Sequence, residues 1–307
     1  MQFEAVGACS LGAEHQTTER RLLLALSLTG LILLFEVAGG LWTGSLALLS
    51  DAAHVLLDVL ALALSYVALR VSARPADERY TYGFHRARVL AALANGALLL
   101  LVAFGIFREA LVRFREPAPV LAGAMLTVAV VGLVVNLIVM RVLGDHDHSD
   151  LNVHSAFLHV LGDTLSSVGV IAAGLVILLT GWTWADPLAS VLIGIVIVVG
   201  SVRLLRSALH ILAEGVPEGL TARDVASAMR EVPHVAEVHD LHVWTVSPGY
   251  VALSAHVVLA DRSLAEAQSV QEELKQVLVE RYGIHHTTIQ FECVNCGQGT
   301  LTCADGC

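Results

Sequence analysis

Twice in this chain a histidine stands four positions before an aspartate inside an apolar run. The pairs are His54 and Asp58 in Ala53-His54-Val55-Leu56-Leu57-Asp58, and His159 and Asp163 in Leu158-His159-Val160-Leu161-Gly162-Asp163. On a helix that spacing stacks the two side chains on one face, roughly 6 Å apart. Two imidazoles and two carboxylates together make a complete tetrahedral ligand set for zinc. An ionisable group at mid-bilayer depth costs roughly 2.5–3.5 kcal/mol on insertion scales, so its presence there marks function by default. The plainer reading is four polar residues paired with one another inside a helical bundle. A closed four-ligand shell argues against catalysis, because a zinc enzyme keeps one position for water. The chain also lacks the H-E-x-x-H run of a metalloprotease. A metal-handling protein that is not an enzyme is the expectation.

The elements that must hold these residues are apolar and long. Of 307 residues 56% are hydrophobic and only 15% charged, with a mean hydropathy of +0.71, which is the composition of an integral membrane protein with a polar appendix. The net charge of −10 argues against nucleic-acid binding. Six hydrophobic segments, 22–42, 46–70, 88–107, 121–142, 153–180 and 186–206, each approach or exceed the ~20 residues needed to span a bilayer. Residues 1–21 are polar and are expected to form a cytosolic tail rather than a cleaved leader.

With that tail inside, Arg20, Arg21, Arg70, Arg74, Arg79, Arg86, Arg88, Arg141, Arg203 and Arg206 fall on the cytoplasmic side, against Arg108, Arg113 and Arg115 outside. The imbalance favours both termini being cytoplasmic. The second segment then carries the His54/Asp58 midpoint roughly 15 Å below one edge, and the fifth carries the His159/Asp163 midpoint roughly 12 Å above the other. In a hydrocarbon core of about 30 Å the two pairs reach the same plane, so two antiparallel helices could close one site.

Beyond residue 206 the pattern changes. Residues 207–217 read as a connector, and 221–232 as a short helix with Thr221 as its N-cap. Segments 235–246 and 250–259 read as strands around Ser247-Pro248-Gly249. A helix from Ser263 to about Tyr282, with Glu266 completing a capping box, precedes a last strand over 285–292. The predicted domains are a tail (1–21), a six-helix transmembrane bundle (22–206), a small cytosolic α+β domain of order αββαβ (207–292) and a Cys-rich tail (293–307). Five cysteines, all but Cys9 at the C-terminal end, read as cytosolic thiols. The Cys293-x2-Cys296 pair has zinc-ligand spacing, and Cys303 and Cys307 follow it.

These stretches resemble the cation diffusion facilitator family, in its zinc/cadmium/cobalt-efflux branch. The resemblance rests on Gly44-Ser45-Leu46-Ala47-Leu48-Leu49-Ser50-Asp51-Ala52-Ala53-His54, Tyr82-Gly83-Phe84-His85-Arg86, the His159/Asp163 motif, Trp184-Ala185-Asp186-Pro187 and His239-Asp240-Leu241-His242-Val243-Trp244. It implies six transmembrane helices, a metallochaperone-like cytosolic domain, a homodimer and proton-driven metal export, the activity behind heavy-metal resistance. It also implies that His54, Asp58, His159 and Asp163 are the transport ligands. Relatives with aspartate at the first histidine admit a broader range of metals, so histidine on both helices favours Zn²⁺, with Cd²⁺ or Co²⁺ as further substrates.

The resemblance implies further metal sites at Asp77 and His85 in the loop, and at His239, His256, His285 and Glu292 at a dimer interface. Gln290 stands where some relatives carry a histidine. His242 is expected to share the strand face of His239. Asp51 would guide metal at the mouth or hydrogen-bond at a helix end, and Glu36, Asn95 and Asn136 would glue helices or support the ligands. Asp145, His146, Asp147 and His148 make an acidic histidine tract that would capture cytosolic zinc or form a solvated loop. Gly39, Gly40, Gly132, Gly169 and Gly174 would allow close helix approach.

The residue chemistry fits exchange by itself. Neutral histidines with ionised aspartates carry −2, which either one Zn²⁺ or two protons would cancel. The expected function is proton-coupled export of Zn²⁺ by alternating access, in a bacterial inner membrane. The alternatives are a membrane-tethered zinc sensor or metallochaperone that moves no ions, and an intramembrane zinc enzyme.

Overall fold

The computed structural model describes residues 27–144, 151–259 and 264–293. Helices α1 (Ser27–Thr43), α2 (Leu46–Ser72), α3 (Ala87–Arg115), α4 (Ala122–Gly144), α5 (Leu151–Thr180) and α6 (Ala185–Leu212) come first. Five of them are long and apolar enough to cross a membrane, and α1 is a shorter apolar helix of the same character. Two helices outrun their hydrophobic cores. Helix α3 continues to Arg115 rather than ending at 107, and α6 reaches Leu212, taking over part of the expected connector. Arg108, Glu109 and Arg113 are good helix formers, Arg113 pairs with Glu109 one turn back at 3.4 Å, and the first breakers are Pro117 and Pro119. Helix α6 ends where Glu214 takes a left-handed φ of 60°.

The chain divides into two units. The first comprises residues 1–63 and 95–202. Its core is built from α2 to α6 and alternates large and small side chains: Leu48, Ile106, Met125, Val128, Ile177 and Ile193 lie against Ala47, Ala103, Ala129, Ala173 and Ala189. Small residues let helices approach closely where lipid offers no hydrophobic drive for association. A side chain at Gly39 would strike Val128, one at Gly132 would strike the Glu36 carboxylate, and one at Gly174 would press on Leu126. Gly169, by contrast, faces open space, so it is not a contact glycine. Leu101, Phe104, Leu165 and Leu179 are exposed, as lipid-facing side chains are in the absence of lipid.

The second unit comprises residues 64–94 and 203–307. After α6 come α7 (Ala222–Arg230), β1 (Val235–Ser247), β2 (Tyr250–Leu259), α8 (Leu264–Tyr282) and β3 (His286–Glu292), in the expected αββαβ order. Thr221 caps α7, its hydroxyl accepting from Asp224 N at 3.1 Å. The expected cap at Ser263 lies outside the described residues. Strands β1 and β2 form a hairpin whose tight turn is completed by Gly249 at φ 81°. β3 runs parallel to β2, so the chain must cross over, and α8 is that crossover. Val238, Leu241, Val243, Leu253, Ala255 and Val257 turn one sheet face onto Met229 of α7 and Leu274 and Leu278 of α8.

Truncating Leu278, which is completely buried, leaves a cavity costing about 2–5 kcal/mol. In full-length Leu278→Ala, amide exchange at Leu253 and Ala255 is expected to accelerate about 30-fold or more. Hydrogen-exchange mass spectrometry reads it.

Candidate metal centre

Helix α2 carries Asp51, His54 and Asp58 along one stripe, and α5 carries Asp163, Ser166 and Ser167. The i,i+4 spacing puts His54 Nδ1 3.7 Å from Asp58 Oδ2. Across the helix pair, His54 Nε2 lies 4.0 Å from Asp163 Oδ1. One ligand atom from each of His54, Asp58 and Asp163 falls within 4.8 Å of the others. Tetrahedral donors around zinc stand roughly 3.3 Å apart, so a cluster spread over up to 4.8 Å must contract on loading. Asp163 is only 3% exposed. His159 belongs to α5, but its side chain lies outside the described residues, one turn before Asp163.

Polar side chains of other helices back this cluster. Ser166 Oγ donates to Asp51 Oδ1 at 2.5 Å, which joins α2 to α5 a second time. Asp51 is therefore engaged between helices rather than at a helix end. Asn136 of α4 donates to Ser167 Oγ at 3.4 Å. Glu36 of α1 is buried against Gly132. Asn95 is half-buried.

In the second unit, His239 and His256 are directly paired across β1 and β2, and Glu292 follows from β3. His239 Nε2 is 3.3 Å from Glu292 Oε2, and His256 Nδ1 is 3.0 Å from Glu292 Oε1. His239 is 1% exposed. A β-bulge between His239 and His242 supplies one extra residue, Asp240, at φ 47°. Three positions of plain alternation would put His242 on the opposite face, and the bulge returns it to the face of His239. Asp240 then reaches His242 Nε2 at 3.0 Å and His256 Nε2 at 3.7 Å. Sequence reasoning passed over this acidic neighbour because strand periodicity does not foresee a bulge.

The remaining candidates are dispersed. Asp77 Oδ1 accepts from Arg79 N and Tyr80 N at 2.8 and 2.7 Å, closing a turn. His85 packs edge-on against Tyr250, with ring centroids 5.0 Å apart, and the same loop ties Arg86 to Glu214 at 3.2 Å. Among the described residues, Asp77, His85 and His285 join no cluster of three metal-ligating groups. His285 is exposed just before β3. Cys293 is an exposed free thiol. Cys296, Cys303, Cys307, Cys9 and the tract from Asp145 to His148 lie outside the described residues.

Apolar helices enclosing carboxylates and a histidine, followed by a small α+β domain, define a multi-pass integral membrane protein with an intramembrane polar site. The profile of the cation efflux transmembrane domain matches residues 22–213, and that of the cation efflux protein cytoplasmic domain matches residues 217–294. The chain belongs to the cation efflux family, the cation diffusion facilitators.

It is 44% identical over 293 residues to the metal cation efflux system protein CzcD of Cupriavidus metallidurans, covering 94% of this chain and 92% of that one. It is 37% identical over 288 residues to the cadmium, cobalt and zinc/H(+)-K(+) antiporter of Bacillus subtilis, covering 92% of each. It is 40% identical over 279 residues to the zinc transporter ZitB of Escherichia coli, covering 90% of this chain and 88% of that one.

Proposed function

We propose that this protein exports zinc from the cytoplasm in exchange for protons, with His54, Asp58, His159 and Asp163 as the transport ligands. The observation that carries the reading is the approach of His54 to Asp163 at 4.0 Å across α2 and α5. It supports reading the two sequence-local pairs as one inter-helical site. A site shared between two helices opens when they part and closes when they meet, which is what alternating access requires. Nitrogen and carboxylate donors suit zinc and also accept cadmium and cobalt, the metals in the name of the Bacillus relative.

Protons fit as the counter-ion because they compete with metal for imidazole nitrogen and neutralise the site when it is empty. The excess of arginine on one side of the spans supports a cytoplasmic location for both termini, with the bacterial inner membrane as the proposed setting. The cytosolic domain, taken as residues 207–292 and followed by the Cys-rich tail, pairs two copies as a homodimer. Its His239, His256 and Glu292, joined by Asp240, hold a second zinc ion.

The test is zinc flux into proteoliposomes with an imposed pH gradient. Flux should follow the gradient and stop when an ionophore collapses it. A tethered sensor would bind zinc in the same vesicles and show no gradient-dependent movement.

A further inference from the structure

One buried carboxylate takes no part in the ligand cluster. Asp186, in the first turn of α6, is 0% exposed. Its Oδ1 accepts from Ser45 Oγ at 2.5 Å and from Ala47 N at 3.1 Å, and its Oδ2 accepts from Leu46 N at 2.8 Å. Those two amides open helix α2, and an α-helix leaves its first N–H groups without intrahelical partners. Ser45 stands at the N-cap position, and its hydroxyl accepts from Leu48 N at 3.2 Å. Asp186 thus supplies, from another helix, the acceptors that the cap residue alone cannot. Its negative charge faces the positive end of the α2 dipole.

Arg113 near the end of α3 completes the arrangement. Its Nη1 donates to Gly44 O at 2.5 Å and to Asp186 Oδ2 at 3.4 Å. Three helices are therefore fastened at the first turn of α2. From Leu46 to His54 is eight residues, about 12 Å along a stiff helix. Each residue of slip at that first turn would also rotate α2 by about 100° and carry His54 and Asp58 off the face that meets Asp163.

We infer that Asp186 is a positioning residue for metal capture: it sets the height and rotation of α2 so that His54 and Asp58 face Asp163. The inference rests on the transport reading for its ligands, but not on flux. Asp186→Asn keeps the shape and replaces one acceptor oxygen with an amide donor that faces backbone N–H groups and a guanidinium.

Zinc affinity of the full-length protein in detergent, measured by calorimetry with transport kinetics alongside, tests it. Asp186→Asn is expected to raise the Kd and KM for zinc about tenfold, and the milder Ser45→Ala about threefold. Asp186→Glu, which keeps the charge, should bind closer to wild type than Asp186→Asn. A purely structural role would lower Vmax through lost active protein while leaving Kd and KM within twofold of wild type, and that result overturns the inference. If Asp186→Asn cannot be purified folded, an unchanged Kd in Ser45→Ala overturns it instead. Failure of the wild type to move zinc would sink the transport reading alone, since the Kd comparison still judges Asp186.

Discussion

Asp163→Asn is expected to reduce the initial rate of zinc transport at least about 100-fold, the scale set by the 3–5 kcal/mol cost of breaking a buried charged pair. The substitution keeps the volume of the side chain, so it leaves no cavity to blame. It removes an anionic donor in a place only 3% exposed, where water is a poor substitute. Of the three clustered residues only His54 and Asp58 would remain, both on α2, so α5 would hold the metal through His159 alone. Affinity and coupling should fall together.

Asp51→Asn is the internal control. Asp51 is equally buried but is held by Ser166 outside the three-residue cluster, so the amide can still accept that hydrogen bond. A loss of about fivefold or less is expected there, as for one weakened hydrogen bond. Stopped-flow flux with a zinc-sensitive dye trapped in vesicles separates the two variants. Retention of even a third of the wild-type rate by Asp163→Asn would move the transport site elsewhere.

How much of this was readable beforehand depends on the range of the interaction. The His54/Asp58 pairing follows from spacing on one helix, and the shared depth of the two motifs follows from counting residues in from each membrane edge. Both are local or additive properties, and hydropathy reports them well. The β1–β2 hairpin and the Thr221 cap were legible for the same reason, since turn and cap chemistry lies within a few residues.

Helix ends were less legible. Hydropathy marks where side chains stop being apolar, not where φ and ψ change, and Arg203, Arg206 and His210 all continue α6 without being lipid-soluble. The capping of α2 by Asp186 spans 140 residues of sequence to Leu46, and no periodicity encodes it. Its only trace was an acidic residue beside a proline at the start of an apolar run, which reads equally well as an ordinary helix start. The Asp240 bulge was hidden because no local signal marks it: His239 and His242 were expected on one face, but three positions apart they share it only because one residue is looped out.

Zinc binding is expected to weaken by up to about 100-fold for each unit of pH lost below the imidazole range, and to level off above about pH 7.5. The sign follows from the donor set. In the proposed site zinc would bind the bare ring nitrogen of His54 and of His159, so each would have to give up any proton it holds. Where no ring holds a proton, pH has little leverage. Where both hold one, each histidine contributes a factor of about ten per unit, or 1.4 kcal/mol, and two contribute a hundred.

The carboxylates lie 3.7 and 4.0 Å from His54, so a metal and a proton would compete for the same small cluster of donors. Competitive titration of purified protein between pH 5.5 and 8 gives the limiting slope of log Kd against pH. His54→Asp, which keeps a donor but removes one imidazole, should reduce that slope from two towards one, while the zinc site survives. A wild-type slope near zero would mean that protons are exchanged somewhere other than the histidines. A slope of one that His54→Asp leaves unchanged would assign the exchanged proton to His159 alone.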